Sequence, residues 1–331
     1  MPAREVPEPR FIEIGRAPIP PPAPPEDFAW LRVVEFLRAR ELADNTRRAY
    51  ERQLQQFYTW SHQKPWDQVI HRDIDRYKLH LKRQVGRSGE ALAPATINQA
   101  LATLKSFFKW LTVKDYIARN PTLTVELVKE LPKPPADLPQ KQVNLLFDAL
   151  KFRGESEVRD LALLQVLAHG LRACEVCRLN IGDYKERKLN VRDAKWGSDG
   201  LVPLKPDAIS ALDSYLGWLV RNGFQTAPDA PLFISLSNNG KGKRLGYSGV
   251  YGLVKDLAMV HELEGVHPHR MRHTFATSLV AAGMNPLLAK RAVRIRSDKV
   301  FARYSNRALD LKMEEAFDEL YRKGGSSREE D

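Results

Sequence analysis

Apolar residues recur at helical spacing along most of the chain, and the places where that period fails divide it into parts. Four such segments come first. "FAWLRVVEFLRAREL" begins at Phe28, "DNTRRAYERQLQQFYTWSHQ" at Asp44 with Asp44 or Asn45 available as N-cap, and "HRDIDRYKLHLKRQV" at His71. "APATINQALATLKSFFKWLTV" follows, its start marked by Pro94 and Thr96. The spacing predicts a compact four-helix module over 28–128. The period then stops at "KELPKPPADLP", a proline-rich stretch that reads as a semi-rigid linker over 129–139. Beyond it, "KQVNLLFDALKF" and "SEVRDLALLQVLAHGLRACEVCRLN" read as helices, and "RKLNVRDAKWGSDGLVPLKP" as a short β-hairpin or meander. "PDAISALDSYLGWLVRNG" is a helix ending at Gly223, and "YSGVYGLVKDLAMVHEL" is another. The expected fold is mainly α: a four-helix N-terminal module, then an α-rich domain with a small antiparallel sheet.

Composition sharpens this picture at three points. The first 27 residues carry many prolines and no apolar signal core, so they read as an extended arm, and no apolar run approaches the length of a membrane span. Cys174 and Cys177 form a C-x-x-C without a second pair, which reads as two reduced thiols on a helix rather than half a zinc site. The formal net charge of +11 favours an anionic partner, nucleic acid first. In the N-terminal module Arg47, Arg48, Arg52, Arg72, Arg76, Lys78, Lys82, Arg83, Lys105 and Lys109 are interleaved with tyrosines, a pattern suited to phosphate contacts along a duplex and equally to a solvated surface.

Three polar intrusions into apolar helical sequence carry candidate chemistry. In "HPHRMRHTFATSLVAAGMN" Pro268 fits a first helical turn, and His269 and Arg272 share a face near the helix N-terminus, where free N–H groups favour an anion. His269 and His273 have zincin spacing, but arginines and no glutamate stand between them, so a metal centre is not expected. In "LAHGLRACEV" Arg172 sits in apolar surroundings three residues before Glu175, as an ion pair, a phosphate ligand or both. In "RIRSDKVFARYSN" Ser297 can cap a short helix bearing Val300, Phe301 and Tyr304. Tyr304 is either a packing residue or a nucleophile. A phenol of pKa about 10 is ionised in roughly one molecule per thousand at neutral pH, a handicap of about 4 kcal/mol that clustered arginines can offset.

Taken in order, "HGLRACEV", "HPHRMRHTFAT" and "VFARYSN" resemble the tyrosine recombinase (phage integrase) family, and the resemblance runs from about Phe28 to Tyr321. It implies a SAM-like core-binding domain at 28–128, a catalytic domain at 140–308, and a C-terminal helix and tail at 309–331. Arg172 and Arg272 would grip the scissile phosphate, His269 would assist proton transfer, and Glu175 would support the site. Tyr304 would attack phosphorus to give a 3′-phosphotyrosyl link. Lys195, eight residues before Pro203, would be the general acid of the β-hairpin, although the glycine-rich turn that follows it in the family is altered to "WGSDG". No cofactor is implied. The partner would be double-stranded DNA carrying specific sites, contacted in part by Arg47, Arg48, Arg52, Lys105 and Lys109. A homo-tetramer on DNA is expected, in the cytoplasm with the nucleoid, with Leu311, Ala316, Phe317 and Leu320 of the terminal helix docking on a neighbour.

One position departs from the pattern. The family carries histidine or tryptophan nine residues before the nucleophile, and here that residue is Ile295, which has no donor for a phosphate oxygen. Arg294 and Arg296 flank it, but helix geometry predicts that both point elsewhere. Ile295 therefore leaves open a weakened or silent recombinase acting as an architectural DNA-binding protein. Relaxation chemistry like that of type IB topoisomerases is a further alternative.

Overall fold

A computed structural model describes residues 28–86, 89–130, 137–192 and 199–325. The chain divides into two compact units at Pro132/Lys133.

The first unit contains α1 (Phe28–Arg38), α2 (Asp44–Trp60), α3 (His71–Arg83) and α4 (Pro94–Val113). Their apolar faces close on an aromatic core in which Phe36, Phe57, Trp66, Tyr77, Phe107 and Phe108 are buried. These rings meet mostly edge to face, as between Phe57 and Tyr77 at 5.0 Å and Trp66 and Phe107 at 4.9 Å. α4 starts with Pro94 in its first turn, as its sequence predicts. The N-cap of α2, by contrast, is Ala43 rather than Asp44 or Asn45; Asp44 already lies in the first turn and pairs with Arg47 at 3.2 Å. After α4 the chain returns along its own unit, tied by Asn98 to Val128 O at 2.9 Å and by Lys105 to Val125 O at 2.7 Å.

The second unit contains α5 (Gln140–Asp148), α6 (Glu157–Ala168), α7 (Ala173–Arg178), the strands β1 (Tyr184–Lys185), β2 (Lys188–Val191) and β3 (Gly200–Pro203), α8 (Pro206–Arg221), α9 (Tyr247–Val260), α10 (Pro268–Ala281), α11 (Pro286–Ala292) and α12 (Asp298–Gly325). The sheet is antiparallel in the order β1-β2-β3, with Leu189 opposite Val202. Those two side chains face inward onto a core that α6, α8 and α9 share.

Two expectations need correcting. The segment from Ser156 to Asn180 is two helices: Gly170 adopts φ +78° and breaks it between α6 and α7. The helix after Ser297 is not short but runs unbroken for 28 residues. Ser297 does cap it, accepting the Val300 N–H at 3.3 Å. Among the described residues no helix is long and apolar enough to cross a membrane.

Candidate active site

The break at Gly170 is what turns Arg172 into a functional side chain. A Cβ at Gly170 would lie 2.6 Å from the Phe275 ring, and the backbone is left-handed, so glycine alone fits both demands. Had the helix continued, Arg172 would be one more position on an apolar rod. Instead it precedes α7, and Glu175 reaches back to accept its backbone N–H at 2.9 Å and its Nη1 at 2.5 Å. His169, just before the break, locks the neighbouring strand end. Its Nδ1 meets Gln165 O at 2.7 Å, so its Nε2 is the acceptor for the Lys205 N–H at 3.0 Å.

Arg272, on α10, is 1 % exposed and is among the largest fully buried side chains of the described residues. Its Nη1 donates to Gly170 O and its Nη2 to Val293 O. One guanidinium therefore ties together the loop that presents Arg172 and the loop that follows α11. Burial, and then the neighbouring charge of Arg172, lower its pKa to about 10, still fully cationic at neutral pH. His269, three residues earlier, stands on the solvent side, so the pair expected to share one face divides into a buried cation and an exposed ring.

Arg294 points into the site, not away from it. Helix geometry does not govern it, because α11 has already ended at Ala292 and Arg294 takes φ +53°, the left-handed region that non-glycine residues rarely occupy. That twist turns the guanidinium inward. Its Nη2 pairs with Glu175 Oε2 at 2.5 Å, and the side chain is 4 % exposed. Ile295 faces away into an apolar cluster with Phe275, Val293, Phe301 and Tyr304. Glu175 consequently bridges two arginines. Burial works to raise its carboxyl pKa, but Arg294 and the backbone and side chain of Arg172 outweigh it, holding the group below the usual carboxylate range.

Tyr304 lies on the second turn of α12, 5 % exposed, its ring 5.1 Å from that of His273 and 6.0 Å from that of Phe301. Burial raises its pKa, against the pull of Arg272 and Arg172. The nucleophile candidate is thus neutral at neutral pH. His273 is a further site residue that the sequence reading passed over once zinc spacing was set aside. Its ring lies 4.6 Å from that of His269, and burial followed by the charges of His269 and Arg272 lowers its pKa to about 4. A neutral imidazole beside a neutral phenol can accept its proton.

This shift predicts a pH dependence of stability. The folded pKa lies below the ordinary 6.5, so the contribution of His273 is complete above pH 6.5, where both states are neutral. It is lost as pH falls towards 4, because the unfolded chain binds the proton first. Allowing for screening of a partly exposed ring, wild type should lose about 1–2 kcal/mol more than His273→Gln between pH 7 and pH 5 in urea titrations. Identical slopes for the two proteins would show that the ring is not held neutral.

Lys195 lies outside the described residues. Of the expected DNA-contacting side chains, Arg48, Arg52 and Lys109 are exposed, Arg47 is exposed beside Asp44, and Lys105 is half-buried on the Val125 carbonyl. Three of the four terminal-helix positions expected to dock, Ala316, Phe317 and Leu320, are exposed, and Leu311 is half-buried. Among the described residues no group of three or more His, Cys, Asp or Glu side chains could hold a metal ion.

Known proteins share this fold. The model of the phage integrase family matches residues 136–308, and that of the phage integrase N-terminal SAM-like domain matches residues 30–118. Tyrosine recombinase XerC of Roseiflexus castenholzii is 31% identical over 268 residues, 77% of this chain and 82% of that protein. Tyrosine recombinase XerD of Oceanobacillus iheyensis is 32% identical over 271 residues, 78% and 84% of the two chains. Two solved structures have the same fold. The XerH site-specific recombinase bound to a palindromic difH substrate matches with TM-score 0.66 and 18% identity, over 85% of this chain and 81% of that one. The Tn1549 transposon integrase in complex with a circular intermediate DNA matches with TM-score 0.64 and 22% identity, over 86% and 98%. With the matched catalytic model covering more than half of its length, this chain belongs to the phage integrase family of tyrosine site-specific recombinases.

Proposed function

We propose that this recombinase cleaves and rejoins duplex DNA at specific sites through Tyr304, and that Arg172, Arg272, His269, Glu175 and Lys195 serve that reaction. The observation that carries the reading is the convergence, from three separate stretches of sequence, of a buried tyrosine and two arginines close enough for their charges to act on its pKa. Tyr304 Oη forms a bond to phosphorus as the P–O5′ bond breaks. The phenol proton passes to a neutral histidine, and Lys195 protonates the leaving 5′-oxygen. Arg172 and the remaining donors of Arg272 neutralise charge on the non-bridging oxygens. Because one phosphodiester is exchanged for another, rejoining needs no nucleotide hydrolysis.

The exposed Arg48, Arg52 and Lys109 of the first unit are assigned to phosphate contacts that position the DNA. For the chain as a whole we keep the division into an arm (1–27), a core-binding domain (28–128), a linker (129–139), a catalytic domain (140–308) and a terminal segment (309–331). The last shares helix α12 with the nucleophile. Phe317 and Leu320, 58 % and 73 % exposed, are assigned to a neighbouring copy in a DNA-bound tetramer.

The test is to incubate the wild-type chain with fragmented genomic DNA of its source, quench in denaturant, and map the nucleotide-bearing peptide. Attachment through a 3′-phosphate to the peptide containing Tyr304 is expected, unaffected by chelators. Attachment to another residue would overturn the assignment, as would cuts that leave no protein on the DNA and vanish with a chelator.

A further inference from the structure

Arg294 takes no part in the proposed reaction, yet its surroundings are those of a group built to hold an anion. We infer that Arg294 is a third guanidinium of the site, donating its Nε–H and Nη1–H to a non-bridging oxygen of the scissile phosphate. The inference rests on the proposed reading of the site as one that binds a phosphodiester.

Only Nη2 of Arg294 is engaged, by Glu175, while Nε and Nη1 are buried without a hydrogen-bond partner among the described residues. Buried guanidinium donors are costly to leave unpaired, and a nearly inaccessible side chain with two open donors calls for an acceptor delivered from outside. The backbone points the same way. A left-handed arginine is strained, and the strain is held because Arg272 grips Val293 O, one residue before it. The stem lies over Gly200 of β3, where an added Cβ would stand 3.4 Å from Arg294 Cδ, in ordinary contact. Electrostatics add a third reason. Arg172, Arg272 and Arg294 surround the carboxylate of Glu175, and the exposed Asp199 also acts on Arg294, so three cations face two carboxylates and an excess of positive charge remains. A phosphodiester is the anion of matching shape, since the planar fork presents two N–H groups to one or two oxygens. Ile295, the position that lacks a donor, is thereby answered by its neighbour.

The first experiment needs no cleavage. Side-chain 15Nε–1H spectra of the full chain are recorded during titration with inorganic phosphate, with Arg294→Gly, which also relieves the left-handed backbone, as the assignment control. A resonance absent from Arg294→Gly should shift on titration, and phosphate should bind that variant about 10-fold more weakly. An unmoved resonance or equal binding would overturn the inference. The second experiment uses a nicked duplex of the sequence at which wild type attaches, with either a phosphate or an uncharged methylphosphonate at the scissile position. Arg294→Gly should slow attachment by about 10²–10³-fold on phosphate, the usual cost of one such donor, and far less on methylphosphonate. Equal slowing on both would reduce Arg294 to a support for Glu175. If wild type forms no adduct at all while the phosphate titration succeeds, the recombination chemistry fails and the anion site stands.

Discussion

Tyr304→Phe will form no covalent adduct with DNA above background while keeping its fold. The substitution deletes one oxygen and leaves the ring in place against Phe301 and His273, so stability should change by no more than about 1 kcal/mol. The other tyrosine of α12 cannot take over. Tyr321 lies about 25 Å further along the same helix at 1.5 Å per residue. Unaltered thermal unfolding with complete loss of trapped product is the expected pair of results. Adducts persisting in the variant would mean that the nucleophile lies elsewhere, and Tyr304 would revert to a packing residue of the cluster around Phe275.

Arg272→Ala should be the most damaging of the arginine substitutions, because it strikes structure and chemistry together. Arg172 keeps a quarter of its side chain in solvent, and its loss removes a partner of Glu175. Arg272 is enclosed, and its loss leaves the carbonyls of Gly170 and Val293 buried without a donor, with a cavity beside them. Unpaired buried carbonyls and the void together outweigh the relief of repulsion between Arg272 and Arg172. A destabilisation of about 2–4 kcal/mol is expected. Urea unfolding followed in the second unit measures that. Adduct formation assayed well below the transition should still be down by 10³-fold or more, since both loops that carry the neighbouring arginines lose their shared anchor. Arg272→Lys keeps the charge but lacks the fork that spans two carbonyls, so it should recover part of the stability and little of the rate. If Arg272→Ala were as stable as wild type, the clamp between the two loops would have no energetic meaning.

The sequence alone determined a good deal. Periodicity and proline placement located the four helices of the first unit and the start of α4, because an amphipathic face and a first-turn proline are local properties. The small antiparallel sheet was legible for the same reason, as short alternating runs about a glycine-bearing turn. Residue type and chain order also raised Arg172, Glu175, His269, Arg272 and Tyr304 as candidates, whose roles the proposed adduct experiment tests, since arginines amid apolar residues and a tyrosine in a basic stretch stand out wherever they fold.

What the sequence did not determine was direction. Arg272 read as an open phosphate ligand at a helix N-terminus, but packing made it a buried clamp. Arg294 was expected to point away, because the reading extended a helix that ends at Ala292; one left-handed residue reverses its side chain. Tyr304 and Arg172 are 132 residues apart, and nothing in either stretch fixes their separation. The break at Gly170, the shared carboxylate of Glu175 and the turn of Arg294 arise only when α6, α10 and the loop after α11 pack together. Long-range packing, unlike helical period, leaves no local trace.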